Sequence, residues 1–266
     1  MIVARAHGVL RIVRQVDHQA QCGQMAAAWG NASVARIDHW GDIARAAAVH
    51  DEGWRRVDSR PSLAADGRPE DFPRIDRARH VALYEEAIVR AAAQSARTGL
   101  LVSMHGTGLH QHRLGLDGPP LTSGGHDPAV QMFLASEERR QDELRAEIGN
   151  DLSLGTWAWD AYRLIQTWDA LSLYLSWRGL PQGADGVLPR VPRGPGDEGT
   201  ALMLAPLGRT TASCDPFPFV GTEVTLPVVV RQIEDRRYVD GDDLISALDA
   251  APEEDVEFVV CRRPGR

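Results

Sequence analysis

The sequence predicts a mainly α-helical fold with a β-rich C-terminal tail, and three features of its pattern support this. Apolar residues recur at helical spacing over most of residues 15–178. Prolines and glycines become frequent between residues 179 and 200. Beyond residue 200 the apolar spacing changes to the period of β-strands. These changes predict an N-terminal β-hairpin at 1–14, a helical metal-binding domain at 15–178, a linker or loop at 179–200 and a β-rich subdomain at 201–266.

The predicted helices follow from periodicity and from capping residues. Residues 73–97 predict one long helix that Thr98 and Gly99 stop, followed by a loop at 106–126. Asp127 and Pro128 form a strong helix start, with the Asp as N-cap. Residues 156–177 are apolar nearly all round, which predicts a central buried helix. The hairpin at 1–14 alternates around Gly8 and is a candidate partner for the strands of the tail.

Composition excludes several classes of protein. The net charge of −8 disfavours nucleic acid as a partner, since a phosphate backbone needs a basic surface. No apolar run approaches the roughly 18 residues of a membrane span, and the N-terminus lacks a signal core. We therefore expect a cytoplasmic protein that acts on a small molecule, with a homo-oligomer left open. All 29 basic residues are Arg, so Schiff-base and phosphate-loop lysine chemistry are excluded. The three cysteines are scattered, which argues against a disulfide scaffold.

Candidate metal ligands stand on the inward faces of separate predicted elements. His18, His50 and His80 each fall on a different helix, and His105 closes a short apolar run. Asp169 lies in the most apolar helix, where a lone carboxylate is costly unless it is paired, protonated or bound to a metal. A single histidine on an apolar face is usually a core residue. The set as a whole is typical of a site for divalent ions.

Asp51 follows His50 directly, so the two side chains diverge by about 100° on a helix. His50 can therefore bind one ion while the Asp51 carboxylate bridges to a second. His126 and Asp127 repeat the dipeptide, but there the Asp is already explained as an N-cap.

The order of these residues resembles the HD-domain superfamily of metal-dependent enzymes. Its signature is a His, a later His-Asp pair and a much later Asp, and its two-metal members add two histidines before the last Asp. The resemblance spans residues 15–178 and implies an HD-domain-like helical bundle that holds two ions (Fe, Mn, Mg or Zn). The implied ligands are His18, His50, Asp51, His80, His105 and Asp169.

The fragments HDEGW, LVSMHGTGLH and DPFPF, which begin at His50, Leu101 and Asp215, also resemble an uncharacterised bacterial branch of that superfamily. One position departs from the usual HD pattern. Many members have a Lys near substrate phosphate after the His-Asp pair, and Trp54 stands there in this chain. This substitution weakens the expectation that the substrate carries a phosphate.

Further residues are candidates for substrate contact and proton transfer. His110 lies in the predicted loop beyond His105, either solvated or acting as a proton donor or substrate contact at the mouth of the site. Arg55 and Arg113 are candidate anion anchors, because the guanidinium group offers a bidentate fork. Trp54 is a candidate substrate contact.

Three functions remain open on the sequence. The first is a phosphohydrolase of a small phosphoester or nucleotide, in which Asp51 bridges two ions that generate a hydroxide. The second is a mixed-valent di-iron oxygenase that acts on a small organic substrate with the same six ligands. The third is a non-catalytic metal-binding or regulatory domain whose histidines are structural.

Overall fold

The computed structural model of the protein has an α/β fold, and it describes residues 1–6, 8–111, 127–149 and 154–263. Of the described residues, 52% are helical and 22% lie in strands, and the seven strands form one curled mixed sheet. The prediction of a mainly α, all-helical domain with a β-rich tail is therefore wrong. Strand-forming segments from both ends of the chain combine into a single sheet.

The helices occur in the N-terminal two-thirds of the chain, apart from one short helix near the C-terminus. None of those in the described ranges is long and apolar enough to cross a bilayer. Their bounds are α1 Gln15–Ala28, α2 Trp40–Val49, α3 Arg55–Ser59, α4 Arg77–Ala92, α5 Ala96–Gln111, α6 Pro128–Ile148, α7 Leu154–Leu173 and α8 Gly241–Ala250.

The sheet has the strand order β1-β2-β6-β7-β5-β4-β3. Neighbouring strands are antiparallel except β5 and β7, which are parallel. The bounds are β1 Ile2–Ala6, β2 Val9–Val13, β3 Gly186–Val191, β4 Thr200–Pro206, β5 Thr211–Asp215, β6 Glu223–Glu234 and β7 Glu254–Arg262. β2 pairs with β6, with Leu10 opposite Ile233, so the N-terminal hairpin extends the sheet of the C-terminal strands.

The strand β3 lies inside residues 179–200, which the prolines and glycines predict as a linker or loop. Pro189 belongs to this strand, although proline lacks the amide that a central strand needs. The position is tolerated because β3 is at the edge of the sheet. Because of this proline, the sequence of the edge strand β3 resembles that of a loop.

Four helices surround the predicted ligands. α1 packs against α2, α7 and the strand β6, while α5 packs against α2 and α7. α7 is buried along nearly its whole length, which confirms the prediction of a central buried helix. α1 thus lies between the sheet and the other helices, and its inward face contributes to the site.

Residues 73–97 do not form one helix. α4 ends at Ala92 and α5 begins at Ala96, with the Ser95 hydroxyl accepting a hydrogen bond from the Thr98 amide. Gly99 is inside α5, where a Cβ would lie 2.6 Å from the Cα of Ala92. Its role is to let the two helices approach closely, and it does not end a helix. As a result His105 and His110 both stand on α5, outside any loop.

Candidate metal centre

A chain of hydrogen bonds fixes the orientation of His18 on α1. Gln21 donates to the carbonyl of Leu226 (2.9 Å), so its side-chain oxygen accepts from the Ser172 hydroxyl (2.6 Å). Because that hydroxyl has one proton, Ser172 must accept from Nδ1 of His18, which lies 2.7 Å away. In the neutral imidazole the lone pair is then on Nε2, 2.9 Å from Oδ1 of Asp169.

His50 presents the same tautomer from the end of α2. Its Nδ1 donates to the carbonyl of Ala47 (2.8 Å), which leaves the lone pair on Nε2 in the neutral ring. Nε2 is buried and has no hydrogen-bond partner among the described residues. It lies 3.5 Å from Oδ2 of Asp51. In the neutral ring, Nε2 of His50 therefore has no proton to donate to the Asp51 carboxylate.

Asp51 is held in place by contacts on two sides. Its backbone amide donates to the side-chain oxygen of Gln19 (2.8 Å), and Tyr84 donates its hydroxyl to Oδ1 (3.1 Å). Gly53, two residues later, lies so close to the backbone of Leu83 on α4 that no Cβ would fit. This close approach brings Asp51 up to Tyr84. Burial raises the pKa of the Asp51 carboxyl.

Asp169 on α7 lies close to several imidazole groups and to a second carboxylate. Burial alone raises the pKa of Asp169, but the hydrogen bond and charge that His18 provides when its ring is protonated, with the charges of His105 and His50, outweigh burial and lower the pKa to about 2. Asp169 is therefore ionised at neutral pH. The second carboxylate, Asp51, places its Oδ2 4.0 Å from Nε2 of His18.

His105 joins this cluster from α5. Its ring centroid is 4.7 Å from that of His50, and ligand atoms of His50, Asp51 and His105 lie within 4.8 Å of one another. Its Nδ1 accepts a hydrogen bond from the side-chain amide nitrogen of Gln166 (2.8 Å), so the neutral ring has its proton on Nε2, and burial lowers its pKa to about 3. We call His18, His50, Asp51, His105 and Asp169 the ligand cluster.

The spacing within the ligand cluster matches a coordination shell. Ligand atoms held about 2.0–2.2 Å from one ion lie roughly 3–3.5 Å from each other. The separations of 2.9 Å (His18 Nε2 to Asp169 Oδ1), 3.5 Å (His50 Nε2 to Asp51 Oδ2) and 4.0 Å (His18 Nε2 to Asp51 Oδ2) bracket that value. Small side-chain shifts would therefore bring these atoms around one cation.

Cys22 is a neighbour of the ligand cluster that sequence patterns did not single out. Its sulfur lies within 4.8 Å of ligand atoms of His18 and His50. Burial raises the pKa of this thiol well above its ordinary value, and it also contacts Ser172, behind His18. The thiol is therefore protonated and lies beside His18 and His50.

His80 stands apart from the ligand cluster. Its ring contacts Tyr84 (5.0 Å between centroids), Trp54 (5.7 Å) and His110 (5.5 Å). Tyr84 also contacts His105 (6.0 Å), so this tyrosine connects the two groups. Burial lowers the pKa of His80 to about 3 and that of His110 to about 4. Both imidazoles are neutral at pH 7, so His110 is not charged for proton donation.

A pocket of about 510 Å³ opens onto the ligand cluster. Its lining includes the candidate ligands His18, Asp51 and Asp169, as well as His80 and Tyr84. Its remaining described lining is Gln15, Phe72, Pro73, Ile75, Arg77, Leu109 and Leu173. The candidate ligands are therefore accessible from a concave, mostly apolar surface.

The predicted substrate contacts lie elsewhere or outside the described residues. Trp54 is 1% exposed and packs against His80, while Arg55 is exposed and pairs with Glu52 (2.6 Å). Neither lines the pocket. Arg113 and His126 lie outside the described residues. Asp127 is confirmed as a helix N-cap, because its carboxylate accepts from the Ala129 amide (2.9 Å).

Several residues that shape the site were missed from the sequence. Tyr84 follows His80 by one helical turn, and Ser172 follows Asp169 by three residues in an apolar helix. Both spacings place a polar group on the face that carries a candidate ligand, which is a usable signal. Gln21 follows His18 and Gln166 precedes Asp169 by three residues on the same helix, so the same signal marks them, although their own contacts reach across long sequence separations.

Comparison with known proteins places this architecture in one family. The model of the family "Protein of unknown function (DUF3891)" matches residues 1–235. The chain belongs to the DUF3891 family. The match includes all of the ligand cluster and ends in the loop after β6. No curated protein and no solved structure matches the chain, and none of these comparisons shows an HD domain. The resemblance to an uncharacterised family is thus confirmed at the level of DUF3891 alone.

Proposed function

We propose that the protein is a metal-dependent enzyme and that its best-supported reaction is hydrolysis of a small phosphoester. The observation that carries the proposal is the arrangement of lone pairs in the ligand cluster. In the neutral rings, Nε2 of His18 and Nε2 of His50 both face the Asp51 carboxylate without a proton to donate, because their Nδ1 protons are bonded elsewhere. Buried acceptors that face one another need a proton or a metal cation between them, and three such groups around one point favour a metal.

The donor set fits divalent ions such as iron, manganese or zinc. Neutral imidazole and carboxylate oxygen are ligands for these metals. His18 and His50 each have Nδ1 bonded to a neighbouring oxygen, the outer contact that typically fixes metal-binding histidines. The order of the ligands along the chain also resembles the HD superfamily, which supports a second ion held by His80 and bridged by Asp51.

Bound ions of this kind supply Lewis acidity and lower the pKa of a water molecule toward neutrality. The chain supplies the rest. Tyr84 and Gln19 hold Asp51 in position, and Arg77 offers a cation to an anionic substrate at the pocket wall. His80 and His110, neutral at pH 7, are able to accept a proton or bind an ion.

A second candidate, a di-iron oxygenase, is favoured by the apolar lining of the pocket. Phe72, Ile75, Leu109 and Leu173 would contact an organic substrate, and one Arg is the cation of the described lining. A phosphoester with a large polar body would gain little from these walls. The same ligand set serves both reactions, so the native metal separates them.

The test is metal identity combined with turnover. Protein purified without added metal would be examined by elemental analysis and electron paramagnetic resonance, then assayed with phenyl phosphate. Manganese or zinc with phosphate release supports the hydrolase. Iron with a mixed-valent signal and oxygen consumption supports the oxygenase. Protein with stoichiometric metal that neither releases phosphate nor consumes oxygen with any of a panel of small organic anions would favour a non-catalytic domain.

A further inference from the structure

The lining of the pocket in front of the ligand cluster combines two kinds of side chain, ionisable and apolar. Those apolar residues are Phe72, Pro73, Ile75, Leu109 and Leu173. Such walls bind hydrocarbon by excluding water from it. They offer no hydrogen bonds to a sugar or a nucleobase.

A cationic group and an imidazole stand together at the start of α4. Arg77 begins the helix, and His80 follows one turn later on the same face, so both line the pocket. Nδ1 of His80 is buried and has no hydrogen-bond partner within the described part of the chain. Arg77 also forms an ion pair with Asp127, with Nη1 3.9 Å from Oδ2. A guanidinium group in this position suits the planar oxygens of a carboxylate or phosphoryl group.

Other polar groups of the described lining contact the protein itself. The Tyr84 hydroxyl donates to Asp51, and the ring nitrogens of His18 face Ser172 and Asp169. Gln15 also lines the pocket and can contact a polar atom of a ligand. Arg77 is the one cationic side chain of the described lining, so a single anionic group would bind beside Arg77 and His80 while the rest of the ligand meets apolar walls.

We propose that the substrate of this site is a small organic anion with one anionic group on an apolar body, and not a nucleotide. An aryl or alkyl phosphoester and an aryl or alkyl carboxylate share this chemistry. The mostly apolar lining with one cationic side chain among the described residues suits a molecule of this class. The inference deepens the proposed function, because it assigns the substrate class of the same site.

Titration calorimetry on the purified, metal-containing protein tests the substrate class with four probes. These are phenyl phosphate, phenylacetate, inorganic phosphate and adenosine monophosphate. We expect at least one phenyl probe to bind about tenfold more tightly than inorganic phosphate and adenosine monophosphate, since a buried ring adds apolar contact. The tighter phenyl probe identifies the anionic group. Binding of adenosine monophosphate or inorganic phosphate as tight as that of both phenyl probes would overturn the proposal.

Two variants separate the anionic group from the apolar body. Arg77→Met should weaken the preferred phenyl probe roughly tenfold or more. Arg74→Met is the matched control, because Arg74 is exposed, pairs with Asp66 (3.0 Å) and does not line the pocket. Leu173→Ser should weaken the phenyl probe and leave inorganic phosphate unchanged. Unchanged affinity in Arg77→Met contradicts the inference.

Metal content measured on the same samples distinguishes this inference from the proposed function. Metal-free protein whose phenyl-probe binding still depends on Arg77 would retain the substrate class and reject the metal-dependent enzyme. Metal-containing protein whose ligand binding is unchanged in the Arg77 and Leu173 variants would retain the metal-dependent enzyme and reject the substrate class. Thermal unfolding of each variant verifies that it is folded.

Discussion

Two buried carboxylates, Glu137 and Asp51, have very different hydrogen-bond partners. Glu137 on α6 is 0% exposed and Asp51 is 3% exposed. Glu137 accepts from the Ser103 hydroxyl (2.9 Å) and from Nε of Arg140 (3.0 Å), so each of its oxygens has a proton donor. Oδ2 of Asp51 instead faces Nε2 of His18 and Nε2 of His50, which have no proton to donate in the neutral rings.

The difference indicates that burial alone does not mark a functional carboxylate. Glu137 belongs to a complete structural network, which Gln141 extends by donating to Ser103 (3.0 Å). Under the proposed function, a bound cation would complete the ligand cluster. Substitutions at the two carboxylates should therefore have opposite consequences for metal binding and for stability.

The largest effect is expected from Asp51→Asn, which keeps the volume of the side chain and removes its charge. The variant should lose bound metal almost completely, because the cation loses an anionic ligand that lies 3.5–4.0 Å from the imidazole nitrogens. Elemental analysis measures this, with Glu137→Gln as the control that keeps its metal. Full metal occupancy in Asp51→Asn would show that the two carboxylates are alike.

The second effect is a dependence of stability on pH in protein dialysed against a chelator. Burial lowers the pKa of His80 and of His105 to about 3, while an unfolded histidine titrates near 6.5. Between these values the unfolded chain binds more protons, so stability falls as pH falls below about 6.5. The loss should be on the order of a few kcal/mol by pH 5.

A variant isolates the histidine contribution to that pH dependence. His80→Leu should show a shallower decline of Tm between pH 7 and pH 5, since it lacks one of the three histidines with a lowered pKa, His80, His105 and His110. The raised pKa of Asp51 acts in the opposite direction and is the same in both proteins. Identical slopes for the wild type and His80→Leu would contradict the assignment of a neutral, buried His80.

A smaller effect is expected from Glu137→Ala. Removing this carboxylate leaves Ser103 without its buried acceptor, and Arg140, which is 33% exposed, can turn to solvent. The free energy of unfolding should fall by about 2 kcal/mol, with bound metal unchanged. Denaturant unfolding gives the first quantity and elemental analysis the second. Loss of metal here would mean that the network and the site are coupled.

The smallest effect is expected from Asp127→Ala. Its carboxylate caps α6 and its dipeptide copies the His50-Asp51 pair in sequence only. Loss of the cap should cost about 1 kcal/mol of stability and no metal. A variant that loses metal would place Asp127 among the ligands.

Local signals predicted parts of the fold, and non-local pairing accounts for the failures. The Asp127 cap and the buried helix α7 depend on neighbouring residues, and both are confirmed. The class was wrong because β2 finds its partner β6 more than 200 residues away, and because Pro189 gives the edge strand β3 the composition of a loop. The break between α4 and α5 was misplaced because Gly99 serves helix packing.

The candidate ligands were predictable because each occupies an inward position of its own element. His18, His50, Asp51, His105 and Asp169 do meet in space. Their hydrogen-bonding states were not predictable, because they depend on Ser172, Gln21 and Tyr84, which contact them from other elements. Position follows from periodicity, whereas the proton on each imidazole follows from tertiary contacts.

The metal content of the protein, purified without added metal, tests the central claim most directly. Lone pairs and carboxylates that converge in a buried cluster predict at least one tightly bound ion per chain, and two if His80 holds the second. Elemental analysis of wild type beside Asp51→Asn gives the answer in one experiment. Stoichiometric metal in the wild type and none in the variant is the expected result. A wild type that holds no metal, even after incubation with iron, manganese and zinc, would contradict the account.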